Sequence, residues 1–93
     1  MYWITIDQIE CFRAVSESGS FQKAGEKLNK AKSAVMYSVK NLEEQLGFTL
    51  LDRSSYRSKV TSQGEAFLFR SQKVLDNMSE LHDYCDKSHL KLK

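Results

Sequence analysis

Apolar residues recur at every third or fourth position through the first half of the chain, which is the spacing of helices with one face in a core. The first such stripe comprises Ile6, Ile9, Phe12 and Val15. Thr5 and Gln8 stand three positions apart, as in a capping box, and predict the start of helix 1. Gly19 is suited to end this helix, and Ser20 to cap the next one.

Helices 2 and 3 are predicted to be joined by a tight turn at about residues 29–31. In helix 2 the small neighbours Ala24 and Gly25 allow another helix to approach closely. The core-facing stripe of helix 3 comprises Val35, Val39, Leu42 and Leu46, followed by Gly47 as its C-cap. Its other face carries Lys32, Ser33, Met36, Tyr37 and Lys40. A supporting helix followed by a helix with such a face is typical of helix-turn-helix proteins that read a DNA major groove. The alternative is that Met36 and Tyr37 pack on a neighbouring element.

The segment after helix 3, residues 48–61, has short apolar stretches on either side of a tip that contains Ser and Arg. This pattern predicts a modest two-stranded hairpin. Beside helix 3 the hairpin would be a wing, with Arg57 or Lys59 near a DNA backbone or minor groove. Thr61 is the predicted cap of a long final helix.

The final helix carries an apolar stripe with a seven-residue rhythm, which consists of Phe67, Val74, Met78, Leu81 and Cys85. So small a domain cannot cover the whole stripe, which therefore predicts a partner helix from a second copy of the chain. The alternative is a helix that packs only on its own domain. The last five residues, HLKLK, alternate in polarity and predict the start of a strand. We therefore expect the chain to be cut from something longer.

The 93-residue chain has 41% hydrophobic and 28% charged residues, the composition of one globular domain. No apolar stretch approaches the roughly 20 residues of a membrane span, and the start, MYWITIDQ, lacks the blocks of a signal peptide. We therefore expect a cytoplasmic protein. Cys11 and Cys85 are too far apart in sequence to suggest a disulfide framework, and His82 and His89 have no nucleophile or metal ligands beside them. We expect no enzyme activity, no metal and no cofactor.

The net charge of +2 is small, but the basic residues are concentrated in two segments. Residues 23–40 contain Lys23, Lys27, Lys30, Lys32 and Lys40 against Glu26 alone. Residues 53–59 contain Arg53, Arg57 and Lys59 and no acid. Together these segments predict a phosphate-binding surface. The alternative is that the lysines are simply solvated on the outer faces of the helices.

This spaced set of residues resembles the DNA-binding domain of LysR-type transcriptional regulators over nearly the whole chain. The resemblance is carried by Ile6, Ile9, Phe12, Val15, Gly19, Ser20, Phe21, Ala24, Leu28, Ser33, Ala34, Val35, the LEEQLG of residues 42–47, Leu50, Leu51, Arg53, Thr61, Gly64 and Glu65. It implies a mainly α fold: a winged helix-turn-helix with a short two-stranded wing over residues 1–61, then a long C-terminal dimerisation (linker) helix over residues 62–88. Residues 89–93 would begin an effector-binding domain. A small-molecule effector would then act only through that missing domain, and higher oligomers are expected of the full-length protein.

Four positions depart from the usual residues of the family. Ala31 stands where the family usually has Ser or Thr, so the usual cap of helix 3 is absent. Ser33 replaces a frequent Pro, Met36 a common small Ser, and Tyr37 a common Arg. The last two positions point into the groove in this family, so the base preference should differ from that of the commoner members.

We therefore predict a sequence-specific double-stranded DNA-binding transcriptional regulator that reads an inverted repeat as a homodimer. The alternative is a winged-helix protein-interaction module without DNA binding. Base readout is assigned to Lys32, Ser33, Met36 and Tyr37. Contacts to the DNA backbone are assigned to Ser20, Gln22, Lys23, Lys30, Lys40, Arg53, Arg57 and Lys59, and the alternative role of Arg53 is a salt bridge with Asp52 or Glu43. The dimer seam is assigned to Phe67, Val74, Met78, Leu81 and Cys85.

Overall fold

The computed structural model describes residues 3–54 and 59–92, and of residues 88–92 the backbone alone. The elements in this part of the chain are α1 (Ile6–Ser18), α2 (Phe21–Leu28), α3 (Lys32–Leu46), β1 (Leu51–Asp52), β2 (Lys59–Val60) and α4 (Ser62–Leu92). The predicted fold, mainly helical with a two-stranded wing and a long last helix, is confirmed. No helix among the described residues combines the length and the apolarity needed to cross a membrane.

The first two helices begin and end at the residues that the sequence indicates. The Thr5 hydroxyl accepts a hydrogen bond from the Gln8 backbone at 3.1 Å, and the Gln8 side chain accepts one from the Thr5 backbone at 3.0 Å. Gly19 ends α1 with φ at 82°, a left-handed conformation that strains any residue with a Cβ. The Ser20 hydroxyl then caps α2 by accepting from the Lys23 backbone at 3.0 Å. The predicted capping box and both caps are confirmed.

The core lies where α1, α2 and α3 meet. Its largest fully buried side chains are those of Phe12, Leu42, Leu50, Val15, Val35, Val39 and Cys11. A Cβ atom on Gly25 of α2 would lie 2.7 Å from the carbonyl oxygen of Lys30, a backbone atom that cannot move without moving the turn. Because only glycine fits there, the turn packs closely against α2. This close packing fixes the orientation of α3 and of its exposed face.

The wing is a two-residue pair of antiparallel strands. Its paired residues are Leu51 with Val60 and Asp52 with Lys59. Leu50 and Leu51 are 0% and 2% exposed, so the first arm of the wing is anchored in the core. A hairpin as small as this is not stable by itself, and the wing therefore keeps its place through the residues beneath it.

The first turns of helix α4 hold it against the rest of the domain. The Thr61 hydroxyl accepts from the Gly64 backbone at 2.9 Å, which confirms the predicted cap, and donates to the Thr49 carbonyl at 2.8 Å. The rings of Phe67 and Phe12 lie 6.0 Å apart between centroids. Beyond Ser71 most of the described side chains of α4 are exposed, and the molecule reaches 53 Å in its longest dimension.

The strand predicted at the end of the chain is wrong. Residues 89–92 continue α4, and Lys93 lies outside the described residues. Five residues that alternate in polarity are too few to separate a strand from a helix. Each residue added to an existing helix gains a backbone hydrogen bond, whereas a strand here would have no partner strand within the described part of the chain.

Candidate nucleic-acid interface

One face of α3 carries exposed side chains of mixed chemistry. Ser33, Met36, Tyr37 and Lys40 are linked by three- and four-residue spacings, from 33 to 36 and 37 and from 36 and 37 to 40, so they form one continuous stripe. Met36 is 43% exposed and Tyr37 is 69% exposed. Large side chains with this much exposure do not serve the core of their own domain. The alternative, in which both side chains pack on a neighbouring element, is not what the structure contains.

The opposite face of α3 makes the helix a rigid support for this stripe. Val35, Val39 and Leu42 are all 0% exposed and pack against α1 and α2. The helix begins after Ala31, whose side chain makes no capping hydrogen bond. The first N–H groups of α3 therefore have no side-chain acceptor at the cap position, which leaves the positive end of the helix dipole suited to an anion.

The lysines of α2 and the turn divide into two groups. Lys30 forms an ion pair with Asp7 at 3.0 Å, and this hydrogen bond and charge raise the pKa of Lys30. Lys27 forms an ion pair with Glu17 at 2.8 Å. Both pairs tie α1 to the region of the turn. Within the described ranges the other lysines of residues 23–40 make no ion pair; they are Lys23, Lys32 and Lys40.

Arg53 lies just after β1 and contacts two other elements. Its Nη1 atom lies 3.3 Å from a carboxylate oxygen of Glu43 in α3. Its guanidinium carbon lies 5.5 Å from the centre of the Phe21 ring at the start of α2, a cation–π distance. The salt bridge weighed as an alternative role for Arg53 is therefore present, with Glu43 as its partner. The Arg53 side chain nevertheless keeps 43% of its surface exposed.

The wing supplies one further described cation. Lys59 is exposed in β2, opposite Asp52. Hydrogen bonds from the hydroxyl and the backbone of Ser54 lower the pKa of Asp52, with a smaller effect from Lys59. Arg57 lies outside the described residues, so its predicted role stays a prediction.

An open groove separates α3 from the first arm of the wing. It has a volume of about 690 Å³, and Met36, Tyr37, Lys40 and Arg53 contribute to its walls. The groove therefore joins the exposed stripe of α3 to the guanidinium held beside the wing. A sugar–phosphate backbone that ran along it would meet two cations and a phenol hydroxyl.

The predicted seam residues of α4 have different surroundings. Val74 and Leu81 are 42% and 53% exposed, and Cys85 is an exposed free thiol. Met78 is half-buried and lines a second groove, between α4 and α1. Phe67 instead packs on Phe12 within its own domain, because the first turns of α4 are where this helix meets α1.

From the sequence, Glu43 is predicted only as an alternative partner of Arg53, and its contacts with the backbone at the start of the wing are missed. This carboxylate is 8% exposed and accepts hydrogen bonds from the backbone of Leu50 and Leu51, besides its contact with Arg53. The signal was present, because position 43 follows Val39 by four residues and so falls on the buried face of α3. An acid at a core-facing position needs partners, and this requirement could have identified it.

Comparison with known proteins places this geometry in a family. Residues 6–65 match the family described as bacterial regulatory helix-turn-helix protein, lysR family. The HTH-type transcriptional regulator CrgA of Neisseria meningitidis (serogroup C, strain 8013) is 41% identical over 73 residues, 78% of this chain and 24% of that protein. A probable RuBisCO transcriptional regulator of Cyanidioschyzon merolae is 39% identical over 71 residues, 76% of this chain and 23% of that protein. The chain thus spans about a quarter of the length of these curated relatives.

Solved structures agree with the sequence comparison. The crystal structure of a BenM_DBD/benA site 1 DNA complex superposes with a TM-score of 0.83 at 34% identity, covering 89% of this chain and 93% of that chain. A CbnR_DBD–DNA complex gives a TM-score of 0.82 at 27% identity, covering 90% of this chain and 97% of that chain. Fold, residue pattern and relatives all coincide, and the chain belongs to the LysR family of bacterial regulatory helix-turn-helix proteins.

Proposed function

We propose that this chain is the DNA-binding domain of a transcriptional regulator and that α3 is its recognition helix. The observation that carries the proposal is the exposed stripe of α3, in which Met36 and Tyr37 project from a helix whose other face buries Val35, Val39 and Leu42 completely. A helix so fixed can enter a major groove without losing its own support. Two solved domains with this fold are bound to DNA in their crystals, which favours the same partner here.

The side chains of the stripe have the chemistry that base readout requires. The Ser33 hydroxyl can donate or accept a hydrogen bond, and the Tyr37 hydroxyl can do the same from a longer side chain. The Met36 thioether is apolar and flexible, which suits contact with a thymine methyl group. Lys32 lies in the first turn of the helix, where it can reach an acceptor on guanine.

Phosphate contacts would surround this stripe and set the docking pose. We assign them to Ser20, Gln22, Lys23, Lys40, Arg53 and Lys59, with Arg57 as the prediction that lies outside the described residues. The Ser20 hydroxyl already accepts from the Lys23 backbone, and its own hydrogen remains available for a phosphate oxygen. Lys30 is the weakest member of the predicted set, because a phosphate would compete with Asp7 for it.

We further propose that two copies associate through α4, with Val74, Leu81 and Cys85 in the seam and Met78 at its edge. The supporting observation is the exposure of Val74 and Leu81 at a seven-residue spacing on a helix that extends away from its domain. Phe67 is left out of this proposal because Phe12 already covers it.

The dimer is tested by light scattering on the wild-type chain and two variants. Leu81→Asp places a charge in the seam and should yield monomers. Phe69→Asp is the matched control, since Phe69 is 71% exposed and falls outside the heptad positions of the seam. Dimers of the Leu81→Asp variant, or monomers of both variants, would contradict the assigned seam.

Two DNA-binding domains related by a two-fold axis should recognise an inverted repeat. Its half-sites should lie about one helical turn, roughly 34 Å, or a multiple of it apart. A regulator of this kind works where the bacterial chromosome is, so we place it in the cytoplasm. The chain spans about a quarter of the length of its curated relatives, so we propose that any small-molecule effector acts outside this DNA-binding domain.

The direct test is a fluorescence-anisotropy titration of labelled duplex DNA at several salt concentrations. A falling log K with rising log salt, with a slope set by the phosphates contacted, is expected of a domain that docks on the DNA backbone. Saturable binding that depends on sequence would support the recognition role of α3. The absence of binding at low salt would favour the winged-helix interaction module instead.

A further inference from the structure

Glu43 of α3 contacts both the start of the wing and Arg53, each through a different carboxylate oxygen. Oε2 accepts from the Leu50 backbone at 2.7 Å and from the Leu51 backbone at 3.1 Å. Oε1 lies 3.3 Å from Nη1 of Arg53. The same carboxylate therefore links the start of the wing to α3 and forms the salt bridge with Arg53, the residue that follows β1.

The position of Arg53 follows from these contacts. Glu43 holds one end of the guanidinium, and the Phe21 ring lies beneath it at 5.5 Å. An arginine on a surface normally samples many rotamers, and fixing it costs side-chain entropy when a phosphate is bound. Here a carboxylate and an aromatic ring already restrict the side chain before any DNA arrives.

The restricted guanidinium lies beside the reading stripe. Arg53 shares one groove with Tyr37 and Lys40, and 43% of its side chain remains exposed. Arginine has five N–H donors, so one contact with Glu43 leaves donors for a phosphate oxygen. A DNA phosphate bound to Arg53 would fix how far the Tyr37 side chain reaches into the major groove of the DNA.

We propose that Glu43 is a positioning residue for DNA binding, which holds Arg53 over Phe21 so that its guanidinium meets a backbone phosphate next to the bases read by α3. This inference rests on the proposed function, since it concerns the same DNA surface. It assigns to a buried acid a favourable effect on the binding of a polyanion. Simple charge arithmetic predicts the reverse, because removing a negative charge near DNA should strengthen binding.

The two expectations are separated by Glu43→Gln. The amide oxygen of Gln can still accept from Leu50 and Leu51, while the amide nitrogen faces Arg53 as donor against donor. The matched control is Glu44→Gln, which removes the same charge from the same groove at an exposed position. Arg53→Gln and the double variant Glu43→Gln/Arg53→Gln complete the cycle. Each protein is titrated against one duplex selected by the wild-type chain, across a salt series.

We expect Glu43→Gln to weaken binding by about tenfold and to reduce the salt slope by about 1, as the loss of one phosphate contact does. Arg53→Gln should give the same two changes, and the double variant should lose no more than either single variant. Glu44→Gln should bind as the wild type does or more tightly. Equal or tighter binding by Glu43→Gln overturns the proposal, and so do losses that add in the double variant. Failure of the wild-type chain to bind any duplex would instead reject the proposed function itself.

A second variant avoids any change in the buried carboxylate. Phe21→Leu keeps an apolar residue at the edge of the core but removes the ring under Arg53. It should weaken DNA binding about threefold, in line with a cation–π contact at a partly exposed site, and have no effect in the Arg53→Gln background. The same loss in both backgrounds would mean that Phe21 acts through folding rather than through Arg53, and would overturn the positioning account even where Glu43→Gln does not fold.

Discussion

Replacement of Tyr37 by Ala isolates the reading role of α3 from the stability of the fold. Tyr37 is 69% exposed, so its removal opens no cavity in the core. The expected change in the free energy of unfolding is within about 0.5 kcal/mol, as for surface positions generally. A change in DNA binding then reports on the lost contact itself.

The size of that change follows from the contact proposed. A side chain on a base edge contributes about 1–3 kcal/mol of discrimination, which corresponds to roughly a 5- to 150-fold loss of affinity for the preferred half-site. On duplexes of unrelated sequence the loss should be small, because binding there depends on phosphates that other residues contact. Tyr37→Phe separates the two parts of the side chain, since it removes the hydroxyl and keeps the ring.

The measurement is the Kd by fluorescence anisotropy on a duplex with a single half-site and on a scrambled duplex, at one salt concentration. A single half-site keeps dimer formation out of the comparison. Tyr84→Ala is the matched control, because Tyr84 is 68% exposed but lies on α4, away from the recognition helix. Equal losses on both duplexes would make Tyr37 a positioning residue, and unchanged binding to the half-site would refute base contact at this position.

Three further predictions concern a phosphate contact on the wing, the hydrophobic core and the stability of the domain at low pH. Lys59→Gln should reduce the salt slope of log K by about 1, whereas Lys87→Gln on α4 should leave it unchanged; no change for Lys59 would exclude it from the footprint. Leu42→Ala, at a position with 0% exposure, should lower the free energy of unfolding in urea by about 2–5 kcal/mol, and a loss below about 1 kcal/mol would contradict the assigned core. The hydrogen bond from Lys27 lowers the pKa of Glu17, so this pair should stabilise the fold above about pH 5 and lose its effect as the pH falls through the acid range. In urea unfolding at stepped pH, Lys27→Met should lower the free energy of unfolding by less than about 1 kcal/mol at pH 8, because the pair is half exposed, and should have no effect at pH 3.

The parts of the fold that could be predicted from the sequence are those specified by residues close together in the chain. A capping box, a left-handed glycine and a hydroxyl cap each involve residues within four positions of one another, so the start of α1 and the boundary between α1 and α2 were readable from Thr5, Gly19 and Ser20. The stripe that contains Val35 and Val39 was readable for the same reason.

The remaining features depend on contacts between elements. Lys30 contacts Asp7, 23 residues away in the sequence, and Arg53 contacts Glu43, 10 residues away. Over such separations a sequence pattern does not show which way a side chain points. Phe67 belongs to the heptad pattern and yet packs on Phe12, because periodicity does not say which partner covers a helix. The strand predicted at residues 89–92 was wrong for a different reason, because the alternating segment was too short to identify a strand.

The most direct test of the central claim is selection of bound sites from a pool of random duplexes with the wild-type chain, followed by sequencing. Two symmetric half-sites at a fixed spacing of about one helical turn or a multiple of it are predicted, and Ser33→Ala, Met36→Ala or Tyr37→Ala should each change the preferred base at one position of the half-site. Enrichment of single unpaired half-sites would contradict the dimer while leaving the recognition helix in place. A pool that shows no enrichment after repeated rounds would contradict the claim that α3 of this domain reads DNA.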